Sequence, residues 1–137
     1  MALYVNQGLD LLTQHNLGLL NNISLALHLY TNNWIPTLTD TSTSYVECNL
    51  GGYAAIALTP SLWQGNTVNG LSSYTYPTQT FTFNANVNNP QTTIFGWYLQ
   101  DLISFKIICA EAIVPSYNVP AAGGTIQITL AWGEGNC

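Results

Sequence analysis

Apolar and polar side chains alternate along much of this chain, and this pattern restricts its fold more than any other feature. Every odd position from Ile23 to Leu29 is leucine or isoleucine. A period of two is typical of a β-strand with one buried face, so the sequence predicts His28 on the outward face. Further candidate strands lie at residues 45–48, 54–58, 78–83, 94–99, 103–112 and 124–132.

Turn signals separate these segments roughly every ten residues. Asn69-Gly70 is the strongest hairpin signal, and further turns are expected at Gly65-Asn66 and in the Asn-rich residues 84–90. The pattern predicts an all-β fold of about eight strands, an antiparallel β-sandwich or barrel. Long connections after Tyr30 and at residues 112–123 favour crossings between two sheets, so a jelly-roll-like sandwich is expected.

Only the N-terminal segment is expected to be helical. Asn6 is a candidate N-cap, and Asn16 with Gly18 supplies a stop signal. The expected organisation is an N-terminal arm or helix at residues 1–20 and a β-sandwich domain at residues 21–137.

The charge content excludes two classes of partner. The chain has one Lys, no Arg and six acidic residues, and charged residues make up 5% of it. Nucleic-acid binding and attachment to an anionic membrane both need several basic side chains, so neither is expected. Asn21, Asn22, Ser24 and His28 interrupt the most apolar stretch, and no signal-peptide pattern is visible at the start, so no membrane span or secretion signal is predicted.

The three cysteines, Cys48, Cys109 and Cys137, do not have the CxxC spacing of zinc or thioredoxin sites. Their simplest interpretation is two buried thiols and a terminal one. A Cys48–Cys109 bridge is the alternative and would require neighbouring strands.

The sequence shows no catalytic pattern. His15 and His28 are the only imidazoles, and no GxSxG elbow surrounds a serine. Carboxylates for sugar cleavage would have to come from Glu47, Asp101 and Glu111, but Asp101 is better explained as closing a turn. His28, Asp40 and Glu47 lack the spacing of a metal site. We therefore expect no enzyme, no cofactor and no metal.

Four tryptophans and eight tyrosines are the remaining candidates for recognition. Trp34, Trp63, Tyr74 and Tyr76 are candidate platforms for sugar rings, as in lectins built on jelly rolls. Aromatic residues are also enriched in cores and subunit interfaces, which is the more common role.

The order of short motifs resembles small virion structural proteins of tailed bacteriophages. The motifs are Leu27-His28-Leu29-Tyr30-Thr31-Asn32-Asn33 with Pro36, Gly52-Tyr53, Pro77 with Phe81-Thr82-Phe83, Ile94-Phe95-Gly96-Trp97-Tyr98, Ala110-Glu111 before Val114-Pro115 and Val119-Pro120, and Gly123-Gly124-Thr125-Ile126-Gln127-Ile128. The near absence of Lys and Arg and the tail Gly133-Glu134-Gly135-Asn136-Cys137 depart from the resemblance.

The resemblance implies a β-sandwich on the virion surface, most plausibly a cement (decoration) protein bound to the major capsid protein. Capsid three-fold sites favour a homotrimer. Two alternatives stay open: a tail, baseplate or receptor-binding subunit, and a carbohydrate-binding module.

Two segments are expected to contact the partner. The N-terminal arm carries more apolar side chains than one short helix can bury, and its contact candidates are Leu3, Tyr4, Leu9 and Leu12. The polar loop after Tyr30 supplies Trp34 and Pro36.

Overall fold

A computed structural model describes residues 2–19, 22–85 and 92–133 of the 137-residue chain. Within these ranges it contains one α-helix and ten β-strands, and every strand pair is antiparallel. The elements are β1 (Leu3–Tyr4), α1 (Asn6–Asn16), β2 (Leu25–Tyr30), β3 (Ile56–Ala57), β4 (Gln64–Val68), β5 (Leu71–Thr75), β6 (Gln79–Phe83), β7 (Thr93–Asp101), β8 (Ile107–Asn118), β9 (Gly124–Ile128) and β10 (Ala131–Gly133). The expected all-β class with a short N-terminal helix is confirmed, with ten strands instead of about eight.

The largest sheet has five strands in the order β1-β8-β7-β2-β3. The turn between β7 and β8 is closed by Asp101, whose carboxylate accepts hydrogen bonds from the Ser104 N–H at 2.8 Å, the Ser104 hydroxyl at 2.7 Å and the Ser24 N–H at 2.8 Å. Burial raises the pKa of this carboxyl, but these hydrogen bonds outweigh burial and hold the pKa below its ordinary value. Its predicted role in closing a turn is confirmed.

Two smaller sheets complete the described strands, one in the order β10-β5-β4 and one pairing β6 with β9. The single strand predicted at residues 124–132 is wrong, because β9 and β10 belong to different sheets. Leu130, between them, is buried and accepts a backbone hydrogen bond from Tyr76 at 3.0 Å. The chain therefore changes sheets within what looks like one alternating segment.

β2 is buried on both faces, so the prediction of an outward His28 is wrong. His28 is 6% exposed, and its neighbours Leu27 and Leu29 are fully buried. The alternation in the sequence does not reveal the second buried face, because that face is formed by the amphipathic side chains of His28 and Tyr30. The loop that follows β2 covers them. The second face therefore has its own small core.

Several predicted boundaries also differ from the structure. Residues 45–48 contribute only an isolated bridge between Glu47 and Tyr30, and 54–58 shortens to β3. The strand predicted at 103–112 is β8, which starts later and continues to Asn118, so the long connection expected after residue 112 is wrong. The first four residues of β8 are buried and its last five are mostly exposed, so the added length extends the strand without adding to the core.

Of the two turns predicted in the region of β4 and β5, one is confirmed and the other is wrong. Asn69 and Gly70 have φ angles of +53° and +78°, which is the conformation a type I′ turn requires. The turn predicted at Gly65-Asn66 lies inside β4 instead. The turn expected at residues 84–90 lies mainly outside the described residues.

The N-terminal segment packs on the rest of the chain. β1 pairs with Cys109 and Ala110 near the start of β8, and Gly8 of α1 lies against Ile108 so closely that a Cβ there would be 2.2 Å from the Ile108 carbonyl oxygen. Val5 is the N-cap and α1 begins at Asn6, so the helix begins one residue earlier than an N-cap at Asn6 predicts. Tyr4 and Leu11 are buried in the main core.

The described residues form two buried clusters. The larger cluster joins the five-stranded sheet to the other sheets, and the smaller one lies around Tyr30, Tyr45 and Tyr98. Cys48 is a free, buried thiol, but Cys109 is disulfide-bonded, so the interpretation of both as buried thiols is wrong for Cys109. The Cys48–Cys109 bridge does not form either, and Cys137 lies outside the described residues. No helix in the described ranges is long and apolar enough to cross a membrane.

Candidate interaction surface

The first part of the connection between β2 and β3 is a loop whose two ends are joined by hydrogen bonds. It contains two of the predicted contact residues, Trp34 and Pro36. Its base is tied by backbone hydrogen bonds from Thr31 to the Val46 carbonyl and from Cys48 to the Leu29 carbonyl, both at 2.8 Å. Asn32 adds a side-chain bridge, donating to the Ser44 carbonyl at 2.9 Å and accepting from the Val46 N–H at 2.8 Å. We call residues 31–48 the docking loop.

Asp40 organises the centre of the docking loop. The Trp34 indole N–H at 2.9 Å, the Thr37 backbone N–H at 2.9 Å and the Tyr45 hydroxyl at 2.6 Å all donate to its Oδ2. The Thr37 hydroxyl donates to Oδ1 at 2.6 Å. Asp40 is only 2% exposed, so these bonds replace the water that a carboxylate otherwise needs.

The charge of Asp40 is stabilised inside the fold. Burial raises the pKa of this carboxyl, but the hydrogen bonds from Thr37, Tyr45 and Trp34 outweigh burial and hold the pKa below its ordinary value. The carboxylate in turn disfavours ionisation of its neighbour: burial and the contact with Asp40 raise the pKa of Tyr45. The pair therefore stays as a carboxylate and a neutral phenol near neutral pH.

A column of aromatic rings supports the docking loop from beneath. Tyr45 lies 5.0 Å from Tyr30 and 4.9 Å from Tyr98, and Tyr98 stacks on the His28 ring at 4.8 Å with planes only 3° apart. Tyr30 also donates a hydrogen bond to the Trp34 carbonyl at 3.1 Å. These rings fill the second face of β2 and β7 and connect the loop rigidly to the five-stranded sheet.

The first part of the docking loop exposes three large apolar side chains. Trp34 is 40% exposed, Ile35 77% and Leu38 52%, while Pro36 between them is half-buried. Leu38 also accepts a backbone hydrogen bond from Asn6 at 2.8 Å, which joins the loop to the start of α1. The loop therefore presents large apolar side chains on a backbone that is already ordered.

The N-terminal contact candidates are placed differently from one another. Tyr4 is buried, and its ring packs edge-on against Trp132 with centroids 5.4 Å apart. Leu3 and Leu12 are half-buried, whereas Leu9 is 45% exposed on α1. Of these four residues, Leu9 has the side chain most available to a partner.

The residues considered for catalysis or metal binding do not converge. His28 Nδ1 lies 2.8 Å from Glu47 Oε1, which also accepts a hydrogen bond from the Tyr53 hydroxyl at 2.9 Å. Asp40 is occupied within the docking loop, and the described residues contain no group of three potential metal ligands. Lys106 lies 3.6 Å from Asp10.

The four predicted aromatic platforms lie in three places. Trp34 belongs to the docking loop, and Tyr76 is buried, where its hydroxyl accepts a hydrogen bond from the Thr59 N–H at 2.8 Å. Trp63 and Tyr74 line a cleft together with Trp132, which the sequence did not single out.

Ile35, Leu38 and Asp40 were also missed. One sequence signal points to Asp40: it is a single carboxylate within a long uncharged stretch. Such a carboxylate is a candidate for hydrogen bonding to the nearby backbone.

Comparisons of this chain with protein-family models, with curated proteins and with solved structures identify no match.

Proposed function

We propose that this protein is a structural component of a bacteriophage virion, a cement (decoration) protein that binds the outside of the capsid and stabilises contacts between capsomers. The observation that carries the proposal is the docking loop. Its buried Asp40 accepts four hydrogen bonds that order the loop, and Trp34, Ile35 and Leu38 are exposed to solvent on it. The motif order that resembles virion proteins supports the same assignment.

Preorganisation makes the docking loop suitable for binding. A partner that meets an ordered loop does not have to supply the free energy for ordering it, so more of the contact energy is available for affinity. Exposed side chains such as Trp34 and Ile35 then supply apolar area, which contributes about 25 cal/mol per Å² removed from water.

The low charge of the chain supports attachment to a permanent neighbour. With a formal net charge of −5 and a single Lys, the surface offers few long-range attractions, so contacts depend on apolar and hydrogen-bonding groups. Such contacts are weakly screened by salt. A protein that binds only the mature lattice stabilises that lattice by mass action.

The finer architecture belongs to the same proposal. Three antiparallel sheets around one main core support a jelly-roll-like sandwich. We further propose that three copies assemble on a capsid three-fold site, with the major capsid protein as the principal partner. Sedimentation or light scattering of the purified protein measures the number of copies, and a monomer at all concentrations would contradict trimer formation in solution.

Substituting one exposed residue tests the docking loop. Ile35→Asp places a charge on its most exposed apolar position, where it has no buried contacts to lose. Val68→Asp is the matched control, because Val68 is 56% exposed in the hairpin of β4 and β5, which belongs to a different sheet from the strands that flank the docking loop. We expect Ile35→Asp to reduce binding to capsids lacking the protein by at least about tenfold, a difference of roughly 1.4 kcal/mol, and Val68→Asp to bind normally.

Electron micrographs distinguish the main alternative. Labelled protein on the heads of purified particles supports the capsid assignment, and label confined to tails supports the tail, baseplate or receptor-binding alternative. Equal binding by Ile35→Asp and the native chain would reject the docking loop as the contact surface.

A further inference from the structure

A second site lies away from the docking loop, in a cleft between the C-terminal half of α1, the start of β2 and the strands β5 and β10. The cleft has a volume of about 270 Å³. Its walls include the aromatic side chains Trp63, Tyr74 and Trp132 and the aliphatic side chains Leu12 and Leu25, and none of its lining residues is charged. We call it the aromatic cleft.

The aromatic walls are held in place by packing. Trp63 and Trp132 meet at 84° with ring centroids 6.0 Å apart, and Trp63 also packs edge-on against the buried Tyr76 at 5.0 Å. Tyr74 covers Gly65 on the paired strand, where a Cβ would lie 2.4 Å from the ring. Tyr74 and Trp132 lie on strands β5 and β10, and Trp63 directly precedes β4, so packing against the sheet positions all three rings.

The same aromatic residues carry polar groups that the protein does not use. Across residues 2–19, 22–85 and 92–133, the side-chain N–H of Trp63, the side-chain N–H of Trp132 and the hydroxyl of Tyr74 have no protein hydrogen-bond partner. The one buried side-chain nitrogen or oxygen without a partner in that part of the chain is His28 Nε2. The three aromatic donors are therefore accessible to solvent or to a ligand.

A neighbouring depression extends the aromatic cleft with polar groups. It has a volume of about 370 Å³, shares Tyr74 and Trp132 with the cleft, and adds the hydroxyl and amide side chains of Thr13, Asn16 and Ser72. The apolar aromatic cleft therefore adjoins a surface that carries uncharged hydrogen-bonding groups.

We propose that the aromatic cleft binds one hexopyranose ring of a glycan, with the next sugar unit lying toward Thr13, Asn16 and Ser72. A pyranose has apolar C–H faces that pack on aromatic rings and a rim of hydroxyl groups that accept hydrogen bonds from indole and phenol donors. An apolar cavity of about 150 Å³ holds benzene, so the larger cleft has room for one substituted six-membered ring. A purely apolar ligand would form no hydrogen bonds with the three aromatic donors.

Nuclear magnetic resonance of the uniformly ¹⁵N-labelled full chain tests the site directly, because each of the four tryptophans gives its own indole N–H signal. The probes are the methyl glycosides of glucose, galactose, mannose and N-acetylglucosamine, raised to concentrations well above a millimolar Kd. We expect at least one glycoside to move the Trp63 and Trp132 signals saturably and to leave Trp34 and Trp97 unmoved. No movement with any of the four glycosides, or unsaturated movement of all four signals, would overturn the proposal.

Two variants separate sugar recognition from general packing. Tyr74→Phe keeps the ring and removes only the hydroxyl, so we expect binding of the active glycoside to weaken several-fold. Tyr117→Phe is the matched control, because Tyr117 lies on β8 outside the aromatic cleft, and we expect it to bind the glycoside as the native chain does. Unchanged binding by Tyr74→Phe, or equal weakening by both variants, would reject the assigned contacts.

An apolar probe distinguishes the competing use of the cleft as a socket for a partner's side chain. If benzyl alcohol moves the Trp63 and Trp132 signals and no glycoside does, the sugar proposal fails. This site does not depend on the proposed capsid attachment, because Tyr74→Phe leaves the docking loop unchanged and capsid binding is measured separately.

Discussion

Removal of the Asp40 carboxylate should loosen the docking loop by an amount that follows from its hydrogen bonds. In Asp40→Ala, the Trp34 indole N–H, the Thr37 backbone N–H and the Tyr45 hydroxyl lose the oxygen they share. Each buried donor left unpaired costs about 1–3 kcal/mol, and a partial rearrangement of the loop brings the expected total to about 3–5 kcal/mol.

Asp40→Asn should be milder because of how the four bonds are distributed. Three of them fall on Oδ2, so the amide oxygen can keep them all, while the new NH₂ group faces the Thr37 hydroxyl, which can rotate and accept. The remaining loss is the extra strength of bonds to a charged acceptor, about 1–2 kcal/mol in total.

Thermal and urea denaturation followed by circular dichroism measures both variants. For a chain of this size, we expect Tm to fall by about 3 °C per kcal/mol, so by roughly 3–6 °C for Asp40→Asn and by more than about 9 °C for Asp40→Ala. Asp10→Ala is the control, because Asp10 is exposed and its substitution should change stability by less than about 0.5 kcal/mol. An Asp40→Ala protein within about 1 kcal/mol of the native chain would refute the role given to this carboxylate.

The pH dependence gives an independent check on the same residue. The folded-state pKa of Asp40 lies below its ordinary value, so its charge stabilises the fold above the unfolded pKa of about 3.9 and this contribution is lost as pH falls through the folded pKa. The stability difference between the native chain and Asp40→Asn should be constant between about pH 5 and 7 and shrink below about pH 4. A difference that grows on acidification would contradict this sign.

The remaining predictions concern packing, a turn, a thiol and the N-terminal contact. Gly8→Ala should destabilise the fold by about 1–3 kcal/mol, despite the better helix propensity of alanine, because its Cβ meets the Ile108 backbone; urea denaturation measures this. Gly70→Ala should cost about 1–2 kcal/mol in the same assay, because φ is +78° there. Burial raises the pKa of the Cys48 thiol, so a thiol reagent should modify it only after unfolding, and rapid modification of the native protein would contradict its burial. Leu9→Asp should weaken capsid binding without changing Tm, and unchanged binding would remove α1 from the proposed interface.

The extent of successful prediction differs among the elements. The Asn69-Gly70 turn is predictable because its backbone conformation suits those two residue types almost independently of the rest of the fold. The alternation of β6 is confirmed, with Phe81 and Phe83 buried and Thr80 and Thr82 exposed, because one face of that strand packs on the core and the other meets water.

The wrong predictions share a different cause. Alternation cannot show that both faces of a strand are buried, so it predicts His28 on the outward face although the docking loop and the Tyr98 ring bury it. A continuous pattern also cannot show that the chain changes sheets, so residues 124–132 are predicted as one strand although β9 and β10 belong to different sheets. Both features depend on contacts between residues far apart in the sequence.

The sequence by itself determined the all-β class, the short N-terminal helix and the scarcity of charge, because these follow from local periodicity and composition. It also indicated Trp34 as a contact residue and Trp63 and Tyr74 as recognition candidates. Only the tertiary structure decided that Asp40 orders the docking loop through hydrogen bonds and that Trp132 joins Trp63 and Tyr74 in one cleft. The physical reason is that a hydrogen-bonded carboxylate and a preformed aromatic wall are both made by side chains whose distances depend on the packing of the whole chain.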